Sequence, residues 1–144
     1  MTQYRRKFQC KVLTPRGGVC DVEAVSVVFP AVDGQVGILG GHLPLVATMG
    51  AGPLVIEESD GTLHVFFVAG GFSQVLPDAM VILADRCQRG SELNVESALQ
   101  ELEQAQELPG DRRAALSAAR AKLALAKTLA ATGEGQPAEK PAEA

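Results

Sequence analysis

The chain changes its periodicity near Asp85, and that break limits the folds open to it more than any other feature. Before it, short apolar and β-branched runs alternate with turn signals; after it, helix formers dominate. Phe8, Cys10 and Val12 alternate with Gln9, Lys11 and Leu13, as a half-buried strand would. The segment "TPRGG" (Thr14–Gly18) interrupts that strand, and apolar β-branched residues return at Val25, Val27 and Val28 before stopping at Pro30. The clearest hairpin is "GPLVIEESDGTLHVFFVAGG", where Asp60-Gly61 supplies a tight turn that needs positive φ. A second hairpin joins "FSQVL" to "MVILAD" across Pro77-Asp78. The double glycine between these two hairpins reads as a bend or bulge where sheets approach closely. Many short strands with no helix among them predict an all-β sandwich or barrel from Gln3 to about Arg86.

The remainder predicts a helical hairpin. Val95, Ala98, Leu99, Leu102 and Ala105 follow the spacing of one helix face. Asn94 is placed to cap this helix, and Glu96 sits where the helix dipole favours an anion. Pro109-Gly110 ends it, Asp111 can cap the next, and the Ala/Leu-rich run that follows continues to Gly133. The final "GEGQPAEKPAEA" has almost nothing to bury and is expected to be disordered. The first helix carries Glu96, Glu101, Glu103 and Glu107; the second carries Arg112, Arg113, Arg120, Lys122 and Lys127. Antiparallel, the two attract, but alanine-rich faces bury little area, so docking should be weak.

Several classes of function are excluded or disfavoured. A net charge of −4 lacks the basic footprint of a nucleic-acid binder. No apolar run approaches the ~20 residues of a membrane span. The start, "MTQYRRKFQCKV", has no continuous apolar core of a signal peptide, so a soluble, cytoplasmic protein is expected. Cys10, Cys20 and Cys87 show no CxxC spacing and only His42 and His64 could join them, which argues against structural zinc and for buried thiols.

The glycine-rich stretch "DGQVGILGGHLPLV" (Asp33–Val46) invites a chemical reading. A phosphate cradle would want a GK[ST] and a following helix; here the following residues are β-type. A catalytic His42 would want a nucleophile and an orienting carboxylate, for which Asp33 with Cys20 or Ser26 could be invoked, though no triad spacing exists. The alternative is a surface turn histidine. On the second helix, Arg113, Arg120 and Lys127 fall seven apart and form a basic stripe beside a Leu116–Leu123 stripe. Such a pair of stripes suits an acidic helical partner.

Taken in order, "DGQVGILGGHLPLV", "VAGGFSQVLPDAMVILAD" and the helical hairpin resemble the epsilon subunit of the bacterial F-type ATP synthase, equivalent to delta in mitochondria. The family pattern G-x-x-G-x-x-P-G-H-x-P-L is met at Gly34, Gly37, Gly41, His42, Pro44 and Leu45, and a second pattern from Gly70 to Asp85. The resemblance covers about residues 3–131. It implies a sandwich of about ten strands followed by an antiparallel helical hairpin, divided as 1–87, 88–132 and a tail over 133–144. It further implies a non-catalytic rotor subunit that binds gamma and the ring of c subunits, with no cofactor, metal, nucleic acid or membrane insertion. The membrane's cytoplasmic face is the implied location. By resemblance, Gln35, Val36, Gly37, Ile38 and His42 face the c-ring. Arg113, Arg120, Lys122 and Lys127 would meet the beta and alpha subunits of the catalytic head when the extended helices block ATP hydrolysis. Two departures stand out. Gly40 replaces the family's proline, which predicts a less rigid loop. Asn94 and Ser97 replace the acid and arginine of an ATP-binding motif, so no ATP binding is expected.

Overall fold

The structure, a computed structural model, describes residues 6–132; the tail over 133–144, expected to be disordered, lies outside them. Eight strands precede two helices. They are β1 (Phe8–Thr14), β2 (Gly17–Ala24), β3 (Ser26–Ala31), β4 (Gly34–Leu39), β5 (Leu45–Thr48), β6 (Ala51–Glu57), β7 (Leu63–Leu76) and β8 (Ala79–Arg89). A 3-10 turn at Gly90–Glu92 then leads to α1 (Val95–Gln106) and α2 (Arg113–Thr132). The strand order is β2-β1-β8-β7-β6-β3-β4, with β5 beside β7. Among the described residues, only β1 and β8 pair in parallel.

That sheet is not flat. Strands at its two ends would stand roughly 29 Å apart at the usual spacing. Yet Ala24 of β2 and Ile38 of β4 belong to one buried cluster with Phe8, Cys10, Val12, Val27, Phe29, Leu54, Ile56, Phe66, Met80 and Ile82. The sheet therefore folds over on itself and closes around a single core. The alternation of Phe8, Cys10 and Val12 supplies part of its lining, as the sequence pattern requires.

The fold-over depends on the double glycine. Gly70 and Gly71 have φ of +78° and +114°, and a Cβ on Gly71 would lie 1.9 Å from the Leu83 carbonyl oxygen. Before this bend β7 pairs with β6 (Ala51 opposite Ala69). After it, β7 pairs with β5 (Thr48 opposite Phe72). Strand β8 follows β7 along both halves. The side chains that face the core change from Phe66 and Val68 to Ser73 and Val75. Two runs that read as separate strands are thus one bent strand of 14 residues, which is one reason eight strands are found where about ten are expected.

Pro30 does not end β3 but lies within it, opposite Gln35. Its carbonyl accepts from Gly50 N–H, so its missing donor also faces the β5–β6 junction, where the β3–β6 pairing has already stopped. The Asp60-Gly61 turn forms as its sequence dictates. Gly61 takes φ +91°, and the Asp60 carboxylate accepts from Thr62 N–H at 2.9 Å.

Candidate functional site

The glycine-rich stretch is mostly strand. β4 occupies Gly34–Leu39 at the edge of the sheet, and only Gly40–Pro44 forms the loop. Along β4, Val36 and Ile38 point inward, opposite Phe29 and Val27, while Gln35, Gly37 and Leu39 point outward. Ile38 is only 1% exposed, so it serves the core and is removed from the set of contact residues. Leu39 and Leu43, exposed by 60% and 77%, stand on the surface instead. Period-two alternation carried this signal, but the glycines obscured it. His42 is half-buried; its main-chain N–H donates to the Leu39 carbonyl at 3.1 Å. A carbonyl only accepts, so Nδ1–H of the ring donates to the Leu43 oxygen at 2.7 Å. One ring nitrogen is thus used within its own turn. Cys20, once a candidate nucleophile, lies on β2 at the far end of the strand order.

The helices are capped as expected, with Asn94 Oδ1 accepting from Ser97 N–H and Asp111 Oδ1 from Arg113 N–H, each at 3.1 Å. The fully exposed Asp111 carboxyl is held below the usual carboxylate range by its hydrogen bonds from the Arg113 side chain and backbone. Arg113, Arg120 and Lys127 are exposed along α2, as their spacing predicts. Lys122 is not. Its side chain is 8% exposed, with Nζ 2.7 Å from Glu101 of α1 and 5.6 Å from the Phe67 ring centre. Glu101 also faces Arg86 of β8 at 3.6 Å, so one carboxylate links both helices and the sheet. The sequence held this signal, because Lys122 lies three residues after buried Ala119 and four before buried Ala126. Leu99, expected on the packed face, is instead 42% exposed.

The fit between helices and sheet is loose. A gap of ≈ 210 Å³ remains between them, lined by Phe67, Arg86, Glu101, Ala105, Ala119 and Lys122. Beside it, Arg16, Asp85, Arg86, Glu92 and Lys122 line a cleft of mixed charge, in which Arg86 and Lys122 already face Glu101. His64, the other histidine, is 5% exposed and bonded to Glu58 at 2.5 Å, a structural pair at the β6–β7 turn. None of the three cysteines is in a disulfide. Burial raises the Cys10 thiol pKa strongly and pushes that of Cys87 up to about 11, which Arg89 only partly opposes.

Residues 7–90 match the family model described as ATP synthase, Delta/Epsilon chain, beta-sandwich domain. The chain belongs to the ATP synthase delta/epsilon family. A relative from Moorella thermoacetica named ATP synthase epsilon chain is 35% identical over 120 residues, covering 83% of this chain and 90% of the relative. One of the same name from Chromohalobacter salexigens is 32% identical over 123 residues, 85% of this chain and 87% of its own. Among solved structures, a chain of the Euglena gracilis mitochondrial ATP synthase (OSCP/F1/c-ring) superposes with TM-score 0.69 at 18% identity, covering 92% of this chain and 85% of that one. At that identity the likeness is one of fold.

Within this delta/epsilon fold, Phe72 becomes informative. Four of the chain's five phenylalanines are buried, but Phe72 is 55% exposed. It sits opposite Leu83, 50% exposed, with Val46 (67%) and Leu76 (41%) on the same outward side of β5, β7 and β8. These four side chains leave an apolar group bare on one face of the sheet. Reading residue by residue missed it, because the reversal of facing at Gly70–Gly71 decides which side of β7 is bare.

Proposed function

We propose that this chain is a non-catalytic central-stalk subunit of an F-type ATP synthase, joining gamma to the c-ring and restraining ATP hydrolysis through its helices. The observation that carries this reading is the family match over residues 7–90, which relatives named ATP synthase epsilon chain extend to 83% and 85% of the chain. The bare face around Phe72 and Leu83 gives gamma an apolar seat of the kind a permanent partner covers. Gln35, Gly37 and His42, with half-buried Val36, form the c-ring contact at the β4 edge. Arg113, Arg120 and Lys127 are accessible to acidic segments of the beta and alpha subunits, whereas Lys122 joins them only after α2 leaves the sheet. Sandwich (1–87) and hairpin (88–132) then act as separate units. Among the described residues no helix is long and apolar enough to cross a membrane, and a peripheral position on its cytoplasmic face fits the reading.

The test is co-purification with gamma, followed by hydrolysis in the assembled complex with and without residues 90–144. The chain should bind gamma, Phe72→Asp should weaken that binding at least tenfold, and removing the helices should raise hydrolysis. Unchanged hydrolysis would remove the inhibitory role and leave the stalk role standing.

A further inference from the structure

The turn that carries His42 is built against a second segment of the chain. Gly40 has no room for a side chain: a Cβ there would lie 2.3 Å from Arg6 O, 2.7 Å from Arg6 Cβ and 2.8 Å from Arg6 C. The first and last of these atoms are backbone and cannot swing aside, so only glycine permits this approach. At Gly41, with φ +84°, a Cβ would meet the Arg6 side chain, with Nη1 at 3.0 Å and Cδ at 3.6 Å. The same guanidinium reaches Asp78 of the β7–β8 turn at 3.6 Å, and Gln9 N–H donates to the Asp78 carbonyl at 3.1 Å. Arg6 thus stitches the entry to β1, the Gly40–Gly41 turn and the β7–β8 turn together at one end of the sandwich. Residues 33–46 contain no Lys or Arg, so the guanidinium over this turn comes from outside the loop.

We propose that Arg6 is a positioning residue for the c-ring contact. It rigidifies the turn that aims Leu39 and His42, and adds guanidinium N–H donors suited to an acceptor on a polar loop of the ring. The proposal rests on the c-ring reading above. It also revises the role of Gly40, whose missing side chain makes room for the clamp. A loop held in its binding conformation avoids an ordering penalty on association. The exposed Arg6–Asp78 pair alone contributes little, so most of the restraint comes from the backbone approach at Gly40.

The test uses the full-length chain with Arg6→Ala, Arg6→Lys and Gly40→Ala. Amide exchange at residues 39–42 is read on the free protein, and c-ring affinity on its complex with gamma. Arg6→Ala should speed loop exchange roughly two- to fivefold, the range of an exposed ion pair, and weaken ring binding by a similar factor. Its thermal midpoint and gamma affinity should not move, and Arg6→Lys should restore part of the loss. Gly40→Ala, which forces the segments apart, should speed loop exchange on the order of tenfold or more. Unaltered loop exchange in Arg6→Ala overturns the clamp. Faster exchange with unchanged ring affinity overturns its part in the contact. If the unsubstituted chain fails to bind the ring, the stalk reading fails instead, and the exchange data distinguish the two.

Discussion

The sandwich and the helical hairpin are held by different means, although they share one chain and one surface. The sandwich buries Phe29, Phe66, Leu54, Ile56 and Ile82 completely. Each such side chain contributes about 1.5–3 kcal/mol relative to exposure. The hairpin buries mainly alanines (Ala98, Ala105, Ala119 and Ala126), with Leu123 and Leu129 at the margin. An alanine methyl contributes only about 0.8 kcal/mol. Where the sandwich excludes solvent, the hairpin leaves a gap and places a lysine against an aromatic ring. Glu101 is 38% exposed, so its charge pair with Lys122 is only partly buried and contributes modestly. The difference makes the hairpin the more weakly packed of the two.

Two substitutions can break that comparison. Phe66→Ala, in the sandwich core, should cost about 3–5 kcal/mol, because it removes a large ring and leaves a cavity. Urea unfolding should show both regions lost together, since the hairpin has no surface to dock on without the sheet. Lys122→Ala should cost less, about 1–2 kcal/mol, because Glu101 is 38% exposed and keeps Arg86 at 3.6 Å. Its effect should be local: faster amide exchange in α1 and α2, by roughly tenfold, with the sandwich midpoint unmoved. If Lys122→Ala lowered the sandwich midpoint as much as Phe66→Ala does, the two regions would be one cooperative unit and the comparison would fail.

The same contrast explains what the sequence disclosed. Elements set by neighbouring residues were legible: the Asp60-Gly61 turn, the Asn94 and Asp111 caps, and the alternation of Phe8, Cys10 and Val12. What was hidden depends on residues far apart in the chain. Gly70–Gly71 could be read as a bend, but the exchange of partners from β6 to β5 could not, because it needs the other strands. The close approach of Gly40 to Arg6 could not be read locally, because the two lie 34 residues apart in the chain. Ile38 looked like a loop residue because the glycines beside it carry no side chain to show the alternation. Lys122 is the instructive exception: its spacing from Ala119 and Ala126 announced burial, yet its charge drew attention to partners instead.

The smallest expected effect sharpens the comparison through pH, because the two regions should weaken at opposite ends of the scale. In the sandwich, the Cys87 pKa is raised from 9.0 to about 11, chiefly by burial. Folding then favours the protonated thiol, so its contribution is complete below pH 9 and is lost as pH rises through about 11. Cys10, more deeply buried, acts in the same direction. In the hairpin, hydrogen bonds from Arg113 lower the Asp111 pKa from its ordinary 3.8. Folding there favours the carboxylate, so the contribution is complete above the ordinary value and is lost as pH falls through the folded one. Because Asp111 is fully exposed, the acid effect should be slight, confined to the start of α2 and reduced by salt. Residue-resolved chemical shifts at the first turn of α2 should therefore move towards coil below about pH 4, with β-strand shifts unchanged. Alkaline unfolding should instead report the strands, and Cys87→Ala should raise its midpoint. Strands that loosened first in acid would contradict the assignment of each pH edge to its region.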